Sequence, residues 1–169
     1  MFESRVLGVD PGLARLGLAV VEGNGRKAAL VWADAVSTAA GSDESERLRQ
    51  ICAAVREVVS AHRPASMALE RVAWNKNQVS ALTVARATGA IMVVAADAGL
   101  SVTEYGPNEV KIAVTGMGNA DKAKVRRALV RVHGLSDVPK QADAADAVAV
   151  ALTHLVGARM RGLARLGSR

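Results

Sequence analysis

Apolar residues first come in short runs and then, further along, recur at every third or fourth position. Arg5–Asp10 is a near-continuous apolar run, read as a first strand, and Pro11-Gly12 breaks it. Leu16–Glu22 is a second strand and Lys27–Ser37 a third, joined by Gly23-Asn24-Gly25-Arg26, a hairpin turn whose Gly and Asn accept positive φ. Such short links predict an antiparallel meander. Gly41-Ser42-Asp43 then opens a helix in which Leu48, Ile51, Cys52, Val55, Val58 and Val59 share one face, and Arg63-Pro64 ends it. Ser66–Arg71 is a fourth strand. Gln78–Asp97 is a second helix whose small residues, Ala81, Ala85, Ala87, Gly89 and Ala90, offer a face for close helix packing. Ser101–Tyr105 is a fifth strand.

The remainder reads as helix. Gly106-Pro107-Asn108 starts a short one that runs through Val114, and Asn119 is placed to cap the next, Ala120–His133. That helix buries Val125, Leu129 and Val132 and presents Lys122, Lys124, Arg126, Arg127 and Arg131. A last helix spans about Gln141–Ala158, and residues 159–169 are expected to form a flexible Arg-rich tail on a single domain of residues 1–158. Three meander strands followed by helix-linked parallel strands describe an α/β fold with a mixed five-stranded sheet flanked by helices. This order resembles the ribonuclease H-like fold. The first strand would then lie mid-sheet with the fourth beside it, and the last helix would cross near both.

Composition narrows the chemistry. Half of the 169 residues are hydrophobic, yet only Phe2, Trp32, Trp74 and Tyr105 are aromatic, so the core must be aliphatic. No uninterrupted apolar run approaches the roughly 18–20 residues of a membrane span. Met1-Phe2-Glu3 lacks the layout of a signal peptide, which makes a cytoplasmic location with no membrane partner the expectation. Cys52 stands alone, which excludes an intramolecular disulfide and a cysteine-based zinc site. His62, His133 and His154 show no metal-ligand spacing and read as surface or helix-end residues. Charge is uneven: residues 1–110 hold 11 Lys/Arg against 12 Asp/Glu, and residues 111–169 hold 11 against 4. A basic half around a few acids suits a polyanionic substrate.

Four acids fall where elements end or begin. Asp10 closes the first strand, Glu70 the fourth, and Asp143 and Asp146 lie three apart on the last helix, flanked by Ala142, Ala144, Ala145 and Ala147. Each alone has an ordinary reading: Asp-Pro-Gly is a turn, Glu70 a solvated strand end, the aspartate pair an exposed helix face. Brought together they would repel one another unless a cation sat between them, and hard divalent ions such as Mg²⁺ favour such oxygen ligands. Two such ions, roughly 4 Å apart, stabilise both attacking and leaving oxygens of a displacement at phosphorus.

The chain resembles the RuvC-type Holliday-junction resolvases over nearly its whole length. The matching segments are Gly8-Val9-Asp10-Pro11-Gly12 with Gly17, Ala68-Leu69-Glu70-Arg71-Val72 with Lys76-Asn77, Glu109-Val110-Lys111, Asp121-Lys122, and Gln141 to Ala149. The resemblance implies a homodimeric, Mg²⁺-dependent endonuclease that makes paired symmetric nicks in four-way junction DNA and leaves 5′-phosphates. Mn²⁺ would be able to substitute. It implies metal-binding and catalytic roles for Asp10, Glu70, Asp143 and Asp146, and places Lys111 and Lys122 near the scissile phosphate. Lys76, Asn77 and Lys124 are assigned with them to DNA. Partnership with a branch-migration helicase complex of the RuvA/RuvB type is implied as well. The family usually has an aromatic three residues after the strand-four Glu, to stack on junction bases. Here Ala73 holds that place and Trp74 follows, so Trp74 is expected to take over the stacking from a loop. Three other readings stay open on sequence grounds: a related nuclease acting on RNA, a junction-binding module without catalysis, and an actin-like ATPase. Against the last, the chain has no second phosphate-binding loop and no GxxxxGK[ST] motif.

Overall fold

A computed structural model of the chain describes residues 4–24, 27–72 and 78–167. Five strands, β1 (Ser4–Asp10), β2 (Arg15–Gly23), β3 (Ala28–Ser37), β4 (Ser66–Glu70) and β5 (Ser101–Tyr105), form one sheet in the order β3-β2-β1-β4-β5. β1 pairs antiparallel with β2 and parallel with β4, and β4 pairs parallel with β5. Helices α1 (Glu44–His62) and α2 (Gln78–Asp97) pack on one face. Helices α3 (Pro107–Thr115), α4 (Lys122–Arg131) and α5 (Ala142–Gly167) belong to the other. The order, the mixed pairing and the central first strand agree with the sequence expectation.

The two faces are built from differently sized residues. Strand side chains alternate. Leu7, Val9, Leu16, Leu18, Val20, Met67 and Leu69 join Ile51, Val55, Ile91 and Val94 in a core of long aliphatic chains beneath α1 and α2. The opposite set, Gly8, Gly17, Ala19 and Ala68, faces α5, itself lined with Ala147, Val148 and Ala151. With so little side chain between them, α5 lies almost against the strand backbones. A Cβ on Gly8 would sit 2.1 Å from the Ala147 carbonyl oxygen, and one on Gly17 would sit 2.0 Å from that of Asp143.

Several expectations are revised. α5 continues as helix to Gly167, so residues 159–167 extend the element expected to stop at Ala158. Asp121, not Asn119, caps α4: its carboxylate accepts from the Lys124 N–H at 2.7 Å, because the turn places it one residue ahead of the first helical position. His154 is no surface residue. It sits inside α5, with Nδ1 3.0 Å from the Tyr105 hydroxyl and Nε2 3.2 Å from Ser66 Oγ. Trp32 is partly buried and stacks on His62 at 5.5 Å. On α2 the small residues Ala81 and Ala87 turn inward, while Val79, Leu82, Gly89 and Val93 form the exposed face. This leaves α2, among the described residues, as one helix long and apolar enough to cross a membrane by length and composition, though no uninterrupted apolar run within it approaches roughly 18–20 residues. Its central Arg86 donates to Glu44 of α1 at 2.7 Å.

The close contact at Gly8 and Gly17 predicts that Gly17→Ala and Gly8→Ala each destabilise the fold by about 1–3 kcal/mol, the usual cost of overpacking. Gly41→Ala, where a Cβ meets nothing within 4 Å, should change stability little. Urea denaturation midpoints check this, and equal midpoints for all three variants would contradict it.

Candidate active site

β1 and β4 run parallel with Val9 opposite Leu69, so the next residues, Asp10 and Glu70, end the two central strands side by side. Alternation puts both on the α5 face, in phase with Gly8 and Ala68. The first turns of α5 come down on that same edge, because Gly17, the β2 partner of Asp10, admits the Asp143 backbone directly above it. Asp143 and Asp146 are each about one-quarter exposed. Thus all four predicted acids reach one end of the sheet, two from strands and two from a helix.

Their electrostatics follow from burial and crowding. Burial, then the charges of Glu70 and Asp146, a hydrogen bond with Glu70 and finally the charge of Asp143, raise the Asp10 pKa to about 8. Glu70 is also pushed up, by burial first and then by Asp146, while its hydrogen bond with Asp10, Lys122 and Lys111 pull the other way. Both carboxyls are thus held above the usual carboxylate range, and the two share a hydrogen bond. The cations expected here are in place. Lys122 Nζ contacts Asp146 Oδ2 at 2.7 Å, which raises the lysine's own pKa, and Lys111 is close enough to act on Glu70. Lys124 is exposed one turn into α4. Trp74, Lys76 and Asn77 lie outside the described residues.

Two residues at this edge had no signal of their own in the sequence. Arg15, at the start of β2, reaches Asp143 Oδ2 at 3.6 Å; the pairing of Asp10 with Gly17 across the β1–β2 turn would have pointed to it. Arg126 donates from its guanidinium to Pro139 O and, at 2.7 Å, to Val138 O. It thereby ties α4, which carries Lys122, to the segment leading into α5, which carries Asp143 and Asp146. Only the tertiary fold brings those parts together.

The donor set suits a hard divalent cation: every candidate ligand is a carboxylate oxygen, and burial with the neighbouring acids raises the pKa of both Asp10 and Glu70. Among the described residues no three acidic, histidine or cysteine side chains close into a finished coordination shell. The groups meeting the acids are instead the Lys122 ammonium and the Arg15 guanidinium.

With this geometry in hand, comparison with known proteins decides the family. The model of the crossover junction endodeoxyribonuclease RuvC family matches residues 6–154. The chain belongs to that family. The RuvC of Nocardia farcinica is 46% identical over 151 residues, covering 89% of this chain and 80% of the relative. That of Moorella thermoacetica is 45% identical over 150 residues, covering 88% and 89%. A solved structure of Thermus thermophilus RuvC in complex with Holliday junction substrate superposes with a TM-score of 0.87 at 39% identity, covering 93% of this chain and 96% of that one. The yeast mitochondrial Holliday junction resolvase Ydc2, at 12% identity and a TM-score of 0.72, shares the fold. RuvC-family membership makes the chain a DNA-hydrolysing endonuclease of the ribonuclease H-like fold, a class that generally needs a divalent metal. The ATPase and non-catalytic readings fall away.

The retained proton has a measurable consequence. Without metal, folded Asp10 keeps its proton up to about pH 8, whereas the unfolded carboxyl loses it above about pH 4. Between those values the folded state binds more protons, so stability falls as pH rises. Denaturation midpoints in EDTA should therefore drop from about pH 5.5 to about pH 8, and Asp10→Asn should make the drop shallower. A midpoint for the parent protein that rises over this interval would contradict the assignment.

Proposed function

We propose that the four carboxylates are the catalytic centre of a Mg²⁺-dependent enzyme that resolves four-way DNA junctions by paired symmetric nicks. The observation that carries this reading is the convergence of Asp10, Glu70, Asp143 and Asp146 on one sheet edge beside Lys122. Asp10 and Glu70 hold the metal from the sheet, and Asp143 and Asp146 hold it from the helix, with a set large enough for two ions. Bound there, Mg²⁺, or Mn²⁺ in its stead, would supply an activated water and neutralise charge developing on the phosphate oxygens. Lys122 and Lys111 donate toward the non-bridging oxygens of the phosphate under attack. Arg126 keeps Lys122 and the α5 aspartates in register. Trp74, with Lys76 and Asn77, contacts junction DNA beyond Glu70, the indole stacking on a base, and Lys124 holds phosphate.

Two symmetric nicks need two sites, and a two-fold dimer supplies them. The exposed apolar face of α2 favours this: Val79 is 75% exposed, Leu82 52% and Val93 59%. A second copy of the chain covers that face. The pair acts in the cytoplasm, with a branch-migration helicase complex of the RuvA/RuvB type delivering the junction.

Incubation with a mobile four-way DNA junction should give symmetric, ligatable nicks that require Mg²⁺. Asp10→Asn and Asp143→Asn should each lower the rate at least ~10²-fold, as loss of a transition-state stabiliser does. Structured RNA cut in place of the junction, or wild-type rates in both variants, would overturn the assignment. Sedimentation should give twice the 17.5 kDa chain mass, and Val93→Glu should shift it to the monomer. A wild-type monomer at micromolar concentration would exclude the α2 interface.

A further inference from the structure

The basic residues of α4 divide into two flanks. Lys122 and Arg126 lie on the side of Asp146, in a groove completed by Leu129 and Lys140. Lys124, Arg127 and Arg131, spaced three and four apart, lie on the other. They border a second groove of about 240 Å³, whose remaining lining is Thr115, Met117, Ala128 and Val132, without an acidic side chain. All three cations are exposed. Among the described residues none of them enters an ion pair, although Arg5, Arg15, Arg49, Arg86 and Lys122 all do. Met117 is exposed beside them at 47%, and Val132, expected to be buried, is exposed at 74% because α4 ends at Arg131 and leaves it at the cap.

We propose that this flank of α4 is a track for the phosphodiester backbone of one duplex arm of the junction, away from the strand being cut. The inference rests on the proposed junction-cleaving function and extends its substrate contact. Three unpaired cations in a row along about 10 Å of helix match a continuous line of phosphates rather than a single anion. Two of the three are arginines, whose planar guanidinium grips phosphate through paired hydrogen bonds. The apolar floor of Met117 and Val132 suits the sugar edge of a backbone, where a small polyanion would need more donors. The track is continuous with the catalytic edge: α4 begins at Lys122, which touches Asp146, and Arg131 lies roughly 14 Å further along its axis. α3 runs alongside, with Lys111 near Glu70 and Thr115 in the groove. An arm leaving the cut strand can therefore follow α4 outward. Contacts of this kind read no bases, so they strengthen junction and linear duplex binding alike.

The test is the salt dependence of binding to a labelled four-way junction in EDTA, from about 50 to 300 mM KCl. The Lys124→Gln/Arg127→Gln/Arg131→Gln protein should lose about 2–3 from the log–log slope, at ~0.9 per phosphate contact, and Arg131→Gln alone about 1. Arg56→Gln on α1, an equal loss of charge away from the track, should leave the slope unchanged. A triple variant that retains its circular dichroism spectrum and the wild-type slope would overturn the proposal, as would an equal loss in Arg56→Gln. Wild-type protein that neither binds nor cuts the junction would fail at an earlier step, overturning the functional reading and the track with it.

Discussion

The separation between α5 and the sheet governs everything else in this molecule. Gly8 and Gly17 carry no Cβ, Ala19 and Ala68 carry little more, and the helix answers with alanines, so the two backbones meet almost directly. A layer of Leu or Ile between them would lift the helix by several ångströms and carry Asp143 and Asp146 away from Asp10 and Glu70. Dense packing of this kind is unforgiving, because a protein interior has few voids into which a misplaced methyl group can move. The acidic edge is thus a by-product of a packing decision taken along the whole first half of α5.

That packing brings together charges that oppose folding. Four carboxylates on one edge would be unstable if all were ionised, and the chain contains the strain in two ways. Asp10 keeps a proton, and Lys122 and Arg15 come over the aspartates of α5. A site built this way suits a cation without enclosing one in advance. The Arg126 clip belongs to the same logic. It fixes the relative position of a lysine and two aspartates that belong to different elements.

Much of this was legible from residues alone. Strands and helices began and ended close to where the apolar periodicity put them, since each buries one face. The four acids could be assembled on paper because a period of two sets the strand ends and an i, i+3 spacing sets the helix pair. The rest depended on contacts distant in sequence. Arg15, Arg126 and the inward turn of His154 toward Ser66 and Tyr105 carry no local signature. The packing partner of α2 was open for a related reason: small residues signal close packing but do not say against what, and here Ala81 and Ala87 lie against the chain's own core. The length of α5 escaped because Arg-rich sequence reads equally as helix or tail.

The unequal faces of the sheet also imply unequal freedom to change. Beneath α1 and α2, Leu7, Val9, Leu16, Leu18, Met67, Ile51 and Ile91 fill a deep layer in which one aliphatic chain can replace another with local repacking. Where α5 crosses β1 and β2 there is no such latitude, because Gly8, Gly17 and Ala19 are already at or near the smallest side chain available. Sequence drift in this fold is therefore one-sided. The side under α1 and α2 is free to wander among hydrocarbons of similar volume, while on the other the crossing points at Gly8 and Gly17 are pinned by the helix that holds half of the acids.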